Sequence, residues 1–307
     1  MAITLDGARA EAHLVDDYAS DPRGAAIELA RQIGRYDDVV GVLVFPDGLT
    51  GDCSTFLGTL AREMPGVRIV GGTSGDAMTF ERTFQYGNGA VRSGAVSAVV
   101  LRGRGELRVA ASHGCTPCGP HQTITRVDGS WVLEIDGRPA WHVFREFLDG
   151  DPQDLNAEGI VHLCIGTASD PASKLVTDPM IIRTPLALDS GTGALLFPGG
   201  GLSQGQRVRM TRRDAARIRD TGASCAKRIL SDGARSRPAF VLQFDCAGRG
   251  KVMFGDRTAA ETIAPLRSEV GEHVPWLGFH TYGEIAETEG GLNYHNYTVA
   301  LCAFYDC

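Results

Sequence analysis

Two continuous apolar runs, VVGVLVF (Val39–Phe45) and AFVLQF (Ala239–Phe244), constrain this chain more than any other feature. A strand with one wet face alternates polar and apolar residues, so an unbroken run must be covered on both faces. Each run is followed by a helix-like segment and then by a second apolar run, VRIVGG (Val67–Gly72) and VPWLGF (Val274–Phe279). Strand, helix, strand in this order is the grammar of a layered α/β protein.

The two stretches share more than this order. Thr73-Ser74-Gly75-Asp76 follows the first pair of runs and Thr281-Tyr282-Gly283-Glu284 follows the second. Each leads through a polar loop into a further apolar strand, AVSAVVLR (Ala95–Arg102) and YTVALCAFY (Tyr297–Tyr305). The repetition reads as an internal duplication. The expected fold is α/β, with mixed β-sheets, flanking helices and two related halves packed together. Both polar stretches leave the C-terminal end of a buried strand, where ligands of layered α/β folds gather, and sites favour the seam between halves.

Local signals fill in the remainder. Asp21 and Pro22 open a helix to Gly34 with an apolar stripe of Ala26, Leu29, Ala30 and Ile33. A further helix is expected over Thr55–Glu63. Ala95–Arg102 and Glu106–Ser112 read as a hairpin about Gly103–Gly105, and Thr123–Gly137 as another about Asp128-Gly129. Met180–Phe197 reads as a hairpin about Ser190–Gly193. Thr211 is the expected cap of the helix that follows it, and Ala259–Gly271 is a further helix.

Composition excludes several classes of function. The 307 residues are 43% hydrophobic and 22% charged, ordinary for a globular protein. A net charge of −7 argues against a nucleic-acid partner, whose phosphates demand a basic face. No apolar run reaches the ~20 residues of a membrane helix. The first residues, MAITLDGARAEAHLVDD, lack a basic segment followed by an apolar one. A cytoplasmic protein without a secretory leader is expected, its eight cysteines mostly reduced.

Three groups of residues carry chemistry. HGCTPCGPH brings His113, Cys115, Cys118 and His121 within nine residues. That spacing fits a metal knuckle, a redox pair or a small buried residue in a turn. FDCAGRG places Cys246 just past a buried strand with Arg249 three residues on. The guanidinium suits a stabilised thiolate, a ligand carboxylate or an internal ion pair with an acid such as Glu284. GFHTYGEIAETEGGLNYHNYT supplies His280, Glu284, His295 and Asn296. Spacing alone assigns none of them a catalytic role.

Five short motifs in order carry a family resemblance: VGGTSGD, SHGCTPCGPHQTITRVDGSWVLEIDGRPA, MIIRTPLALDSGTGALLF, FDCAGRG and GFHTYGEI with YHNYTVAL. Together they resemble the FIST domain in its N-terminal and C-terminal parts, from about Asp37 to Tyr305. The resemblance implies a helical extension over 1–36, an N-terminal domain over 37–137 and a C-terminal domain over 138–307. It implies an intracellular sensor of a small ligand, working through a separate partner such as a histidine kinase or a cyclic-di-GMP enzyme. Haem is a cofactor that it allows. Two departures stand out: Gly75-Asp76 is a shortened form of the first motif, and Cys118 replaces an aliphatic residue.

The expected pocket is lined by Thr73, Gly75, Asp76, Cys115, Cys246, Arg249, His280, Glu284, His295 and Asn296. An amino acid or other small carboxylate is the expected ligand. A thiol-dependent enzyme using Cys246 or Cys115 is a second reading, and an interaction scaffold a third.

Overall fold

The computed structural model describes residues 7–148, 163–168, 180–230, 237–288 and 290–306. The chain opens with strand β1 (Ala8–Val15) and helix α1 (Pro22–Ile33), whose Asp21 carboxylate accepts the Gly24 amide at 2.8 Å. Strand β2 (Val39–Pro46) follows, then α2 (Cys53–Glu63), capped by Asp52 through the Thr55 amide. Next come β3 (Ile69–Gly72), a small hairpin of β4 (Gln85–Gly87) and β5 (Ala90–Arg92), and β6 (Val96–Gly103). Within the expected helical extension, β1 pairs along its whole length with β6, and α1 buries Ala25, Ala26, Leu29 and Ile33 in the same core.

The second unit begins with β7 (Glu106–His113). An insertion follows, made of β8 (Cys115–Asp128), β9 (Trp131–Ile135), β10 (Arg138–Pro139), α3 (Ala140–Phe144), β11 (Cys164–Ala168), β12 (Met180–Arg183), β13 (Ala187–Asp189), β14 (Ala194–Leu196) and β15 (Arg207–Arg213). The chain then returns through α4 (Ala215–Leu230), β16 (Phe240–Cys246), α5 (Lys251–Phe254), α6 (Ala264–Val270), β17 (Trp276–Thr281), β18 (Glu284–Thr288), β19 (Gly291–His295) and β20 (Thr298–Tyr305).

The two units share one topology. In the first sheet the order β1-β6-β2-β3 runs through two antiparallel pairs and one parallel pair. In the second, β7-β20-β16-β17 repeats that pattern pair by pair. The sheets face each other across a core of Leu43, Val70, Leu101, Phe240, Phe244 and Phe304. Helices α1 and α2 cover the far face of the first sheet, and α4 and α6 cover the far face of the second. This four-layer sandwich explains the unbroken apolar runs, since β2 and β16 are buried on both faces.

Three expectations change. The segments around Gly103–Gly105 form no hairpin: β6 lies in the first sheet and β7 in the second, so the turn, with positive φ at both glycines, carries the chain between layers. Thr211 is a buried residue of β15, and Asp214 caps α4 by accepting the Arg217 amide at 2.9 Å. The hairpin about Ser190–Gly193 joins only β13 and β14, while β12 pairs with β11.

The halves are not symmetric copies. The β18–β19 hairpin leaves its own sheet and adds to β3, so the first sheet reads β1-β6-β2-β3-β18-β19. The insertion forms a third sheet, ordered β12-β11-β15-β8-β9-β14-β13, with its own core about Ile124, Phe144, Ile165 and Met210.

Candidate functional site

The two Thr-x-Gly-acid motifs meet each other. The Thr73 amide donates to the Gly283 carbonyl at 2.8 Å, and the Tyr282 hydroxyl donates to the Asp76 carboxylate. Gly75 faces the Tyr282 ring, where an added Cβ would stand 3.3 Å from it. Elements matched in sequence are therefore joined at the seam between the halves.

Asp76 organises the loop that follows. Its carboxylate accepts the Thr79 hydroxyl at 2.8 Å and the amides of Phe80, Glu81 and Arg82 at 3.0, 2.7 and 3.0 Å. Burial would raise its pKa, but these bonds and the Tyr282 hydroxyl outweigh it and hold Asp76 well below the usual carboxylate range. The same contact and burial push Tyr282 up to about 12. Ala77, Met78 and Phe80 adopt positive φ, a conformation rare outside glycine that persists only where surrounding bonds impose it. The Phe80 ring stacks on Tyr282 with centroids 4.9 Å apart.

A cavity opens beside this clasp. Counting its open mouth, it holds about 610 Å³ of empty volume. The first half contributes Gly48, Met78 and Phe80, and the connecting loops of the insertion Thr184, Leu186 and Pro198. The second half contributes Cys246 to Gly248, Val252, Thr281, Tyr282, Asn296 and Tyr297. No charged side chain is among these. Gly248 is required by close approach, since a Cβ there would fall 2.2 Å from the Tyr297 ring. Asn296 binds the parts together: its Oδ1 accepts the Thr184 amide at 3.1 Å, and its Nδ2 donates to the Tyr282 carbonyl at 3.1 Å.

The ten expected residues divide. Cys246 and Asn296 line the cavity, and Thr73, Gly75 and Asp76 hold its Tyr282 wall. Glu284 lies behind it, fully buried, accepting the Thr281 hydroxyl at 2.6 Å and the Thr298 amide at 3.2 Å. Burial pushes its pKa well above the usual carboxylate range. Cys115 is behind Cys246 in an internal cluster, its sulfur 3.8 Å from that of Cys164.

Arg249 is no part of the cavity. It is completely buried and ion-paired with Asp245 at 2.9 Å, with a further bond to the Ile218 carbonyl. His280 is exposed, its Nδ1 3.3 Å from the Asp245 carbonyl. His295 belongs to a different cavity.

Burial, with the charge of Glu284 adding to it, pushes the Cys246 thiol far above its ordinary value. That disfavours the thiolate a nucleophile needs. Cys115 and Cys118 occupy one extended strand, β8, in which positions three apart face opposite sides. They enter different cores, so they form no two-thiolate knuckle, and no metal-ligating cluster occurs among the described residues. His113 accepts the Cys115 amide at 3.1 Å, and His121 lies further along β8.

Haem fits neither cavity. No described histidine lines the first, and its only thiol is held protonated by burial. His113 and His295 line the second, but its other walls are largely arginine, serine and threonine rather than the apolar sheath a porphyrin needs.

Sequence reasoning passed over Tyr282, Met78, Phe80 and Tyr297. Tyr282 carried a signal, since it sits inside the repeated motif, but Met78 and Phe80 lie in a segment that reads as a plain polar loop.

The fold is a four-layer α/β sandwich of two related units with a cavity at their seam. The FIST N domain matches residues 1–138 and the FIST C domain residues 140–287, so the chain belongs to the FIST family. FIST domains are associated with sensory and signal-transduction roles. The chain is similar to the uncharacterized protein Rv0628c of Mycobacterium tuberculosis, 29% identical over 276 residues, covering 86% of this chain and 68% of that one. It is also 29% identical over 269 residues to the uncharacterized protein Mb0898c of Mycobacterium bovis, covering 86% and 67%. A shorter match, 29% over 112 residues, joins it to the uncharacterized protein MJ1623 of Methanocaldococcus jannaschii, covering 36% and 22%. Among the described residues no helix is long and apolar enough to cross a membrane.

Proposed function

We propose that the chain is a sensor whose small ligand occupies the seam cavity and whose response passes through the 76–82 loop to a separate partner. The observation that carries this reading is the shared wall. Met78, Phe80 and Tyr282 line the cavity, and Tyr282 also donates to Asp76, the carboxylate that organises the loop. A ligand that shifts Tyr282 or Phe80 therefore acts directly on the clasp. Loops held in unfavourable φ by a few bonds have a second arrangement within reach of binding energy.

The lining also bears on ligand chemistry. With no cation among the described residues that line the cavity, a carboxylate would be buried unpaired, which is costly. The ligand is an uncharged, mainly apolar molecule, to match a wall whose few polar residues, Thr281 and Asn296 among them, already bond to the protein itself. A histidine kinase or a cyclic-di-GMP enzyme remains the class of partner that the family resemblance implies.

A thermal-shift screen of uncharged small molecules on the full chain tests the proposal, repeated on Val252→Trp, which fills the cavity from its rim. Stabilising compounds that lose their effect in the variant support the seam site. Compounds that stabilise both proteins equally bind elsewhere and overturn it.

A further inference from the structure

The two matching sheets end differently. In the first, the outer edge of β3 is taken up by β18, which pairs with it antiparallel. In the second, the counterpart of β3 is β17, and no described strand takes up its outer edge. The Val241 amide donates to the Pro275 carbonyl and the Ala247 amide to the Thr281 carbonyl. Bonding alternates along a parallel ladder, so the amides and carbonyls of Trp276, Gly278 and His280 point away from β16.

An open edge pairs with other chains unless charge, proline or a bulge prevents it. The opposite edge of the same sheet, β7, carries Glu106 and Arg108. By contrast, β17 reads WLGFHT, with no carboxylate, lysine, arginine or proline, and follows β16 without a bulge. Leu277 and Phe279 on it are each 47% exposed. The Phe279 ring centroid lies 5.8 Å from that of Phe45, whose register partner Ser97 donates its hydroxyl to the Tyr86 carbonyl at 2.8 Å. The β4–β5 hairpin, with Phe84 45% and Tyr86 66% exposed, therefore stands beside β17 on the same face of the first sheet.

We propose that β17 is a dimer edge, on which a second copy of this chain pairs its own β17 antiparallel about a twofold axis at Gly278. The register selects a second copy, because it closes on itself. Gly278 meets Gly278 of the partner subunit, Leu277 meets Phe279 of the partner subunit, and Trp276 meets His280 of the partner subunit. All three outward-pointing residues then bond to outward-pointing residues, and the apolar side chains stay on one face. No like charges oppose each other in the paired strands, although the chain as a whole carries −7. The area is also sufficient. The exposed parts of Phe84, Tyr86, Leu277 and Phe279 amount to about two large side chains, or ~400 Å². A standard interface takes ~800 Å² from each partner, a little over half of it apolar. The dimer does not depend on what the seam cavity binds.

Sedimentation of the full chain from low to high micromolar concentration tests the proposal. The expected result is a species of twice the 32.7 kDa of one chain. Leu277→Glu should weaken the dimer at least tenfold, and adding Phe279→Lys should restore it, since the two positions face each other across the axis. Ile27→Glu, at an exposed apolar residue of α1, should leave it unchanged. As a readout independent of any variant, the amides of Trp276, Gly278 and His280 should exchange with deuterium more slowly in concentrated than in dilute wild-type protein. A chain that stays monomeric at high micromolar concentration overturns the proposal. So does a dimer that ignores Leu277→Glu, is not restored by Phe279→Lys, or leaves those three amides unprotected.

Discussion

Replacing His295 by Gln should change how stability responds to acid. The imidazole is buried, and burial, with smaller contributions from His113 and Arg183, lowers its pKa from the ordinary 6.5 to about 3. The sign follows from proton counting. Below 6.5 the unfolded chain takes up a proton that the folded chain refuses until about pH 3. Stability is therefore intact above 6.5 and lost as pH falls, at about 1.4 kcal/mol per unit. Between pH 7 and pH 5 the loss is about 2 kcal/mol. Glu284 acts in the opposite direction, because its raised pKa lets the folded state keep a proton that the unfolded state releases as pH rises. The wild-type profile alone is then ambiguous, whereas comparison with His295→Gln cancels Glu284, which both proteins retain. Urea denaturation at the two pH values provides the measurement. The account predicts that the stability difference between wild type and variant moves by about 2 kcal/mol in favour of the variant on acidification. A difference that stays constant would refute the claim that burial holds His295 neutral.

Three further outcomes follow from the geometry. Arg249→Met should destabilise the protein by about 3–5 kcal/mol in denaturant, because it strands the buried Asp245 charge; a near-neutral effect would contradict a structural ion pair. Tyr282→Phe removes the donor to Asp76 and should cost about 1–2 kcal/mol, with faster proteolysis within residues 76–82, whereas an unchanged cleavage rate would mean the loop does not depend on the clasp. Under native conditions, the half-exposed Cys118 should be alkylated before the buried Cys246, whose thiol is held protonated; early modification of Cys246 would reopen the thiol chemistry.

Much of the architecture was legible because it rests on burial. The unbroken apolar runs marked β2 and β16, and the shared order of strand, helix, strand, polar loop and strand foretold two related α/β halves, though not the strand orders of their sheets. The Thr-x-Gly-acid motifs announced the seam. What escaped depended on long-range pairing. Nothing local tells β18 and β19 to join β3 rather than their own sheet, or places β6 and β7 in separate layers. Arg249 read as a ligand arginine because its partner Asp245, four residues away, is hidden by the turn between them. His295 and Asn296 read as one site because adjacency in sequence hides the alternation that sends them into different cavities.

The central claim is that occupancy of the seam cavity is felt by the 76–82 loop. Hydrogen–deuterium exchange, with and without a compound that stabilises the wild type but not Val252→Trp, tests it most directly. The amides of Phe80, Glu81 and Arg82 all donate to Asp76 and report on the clasp. The account predicts that their exchange rates change on binding while those of β8 and β9, which supply no residue to the cavity wall, do not. Binding that leaves these three amides unchanged would contradict it.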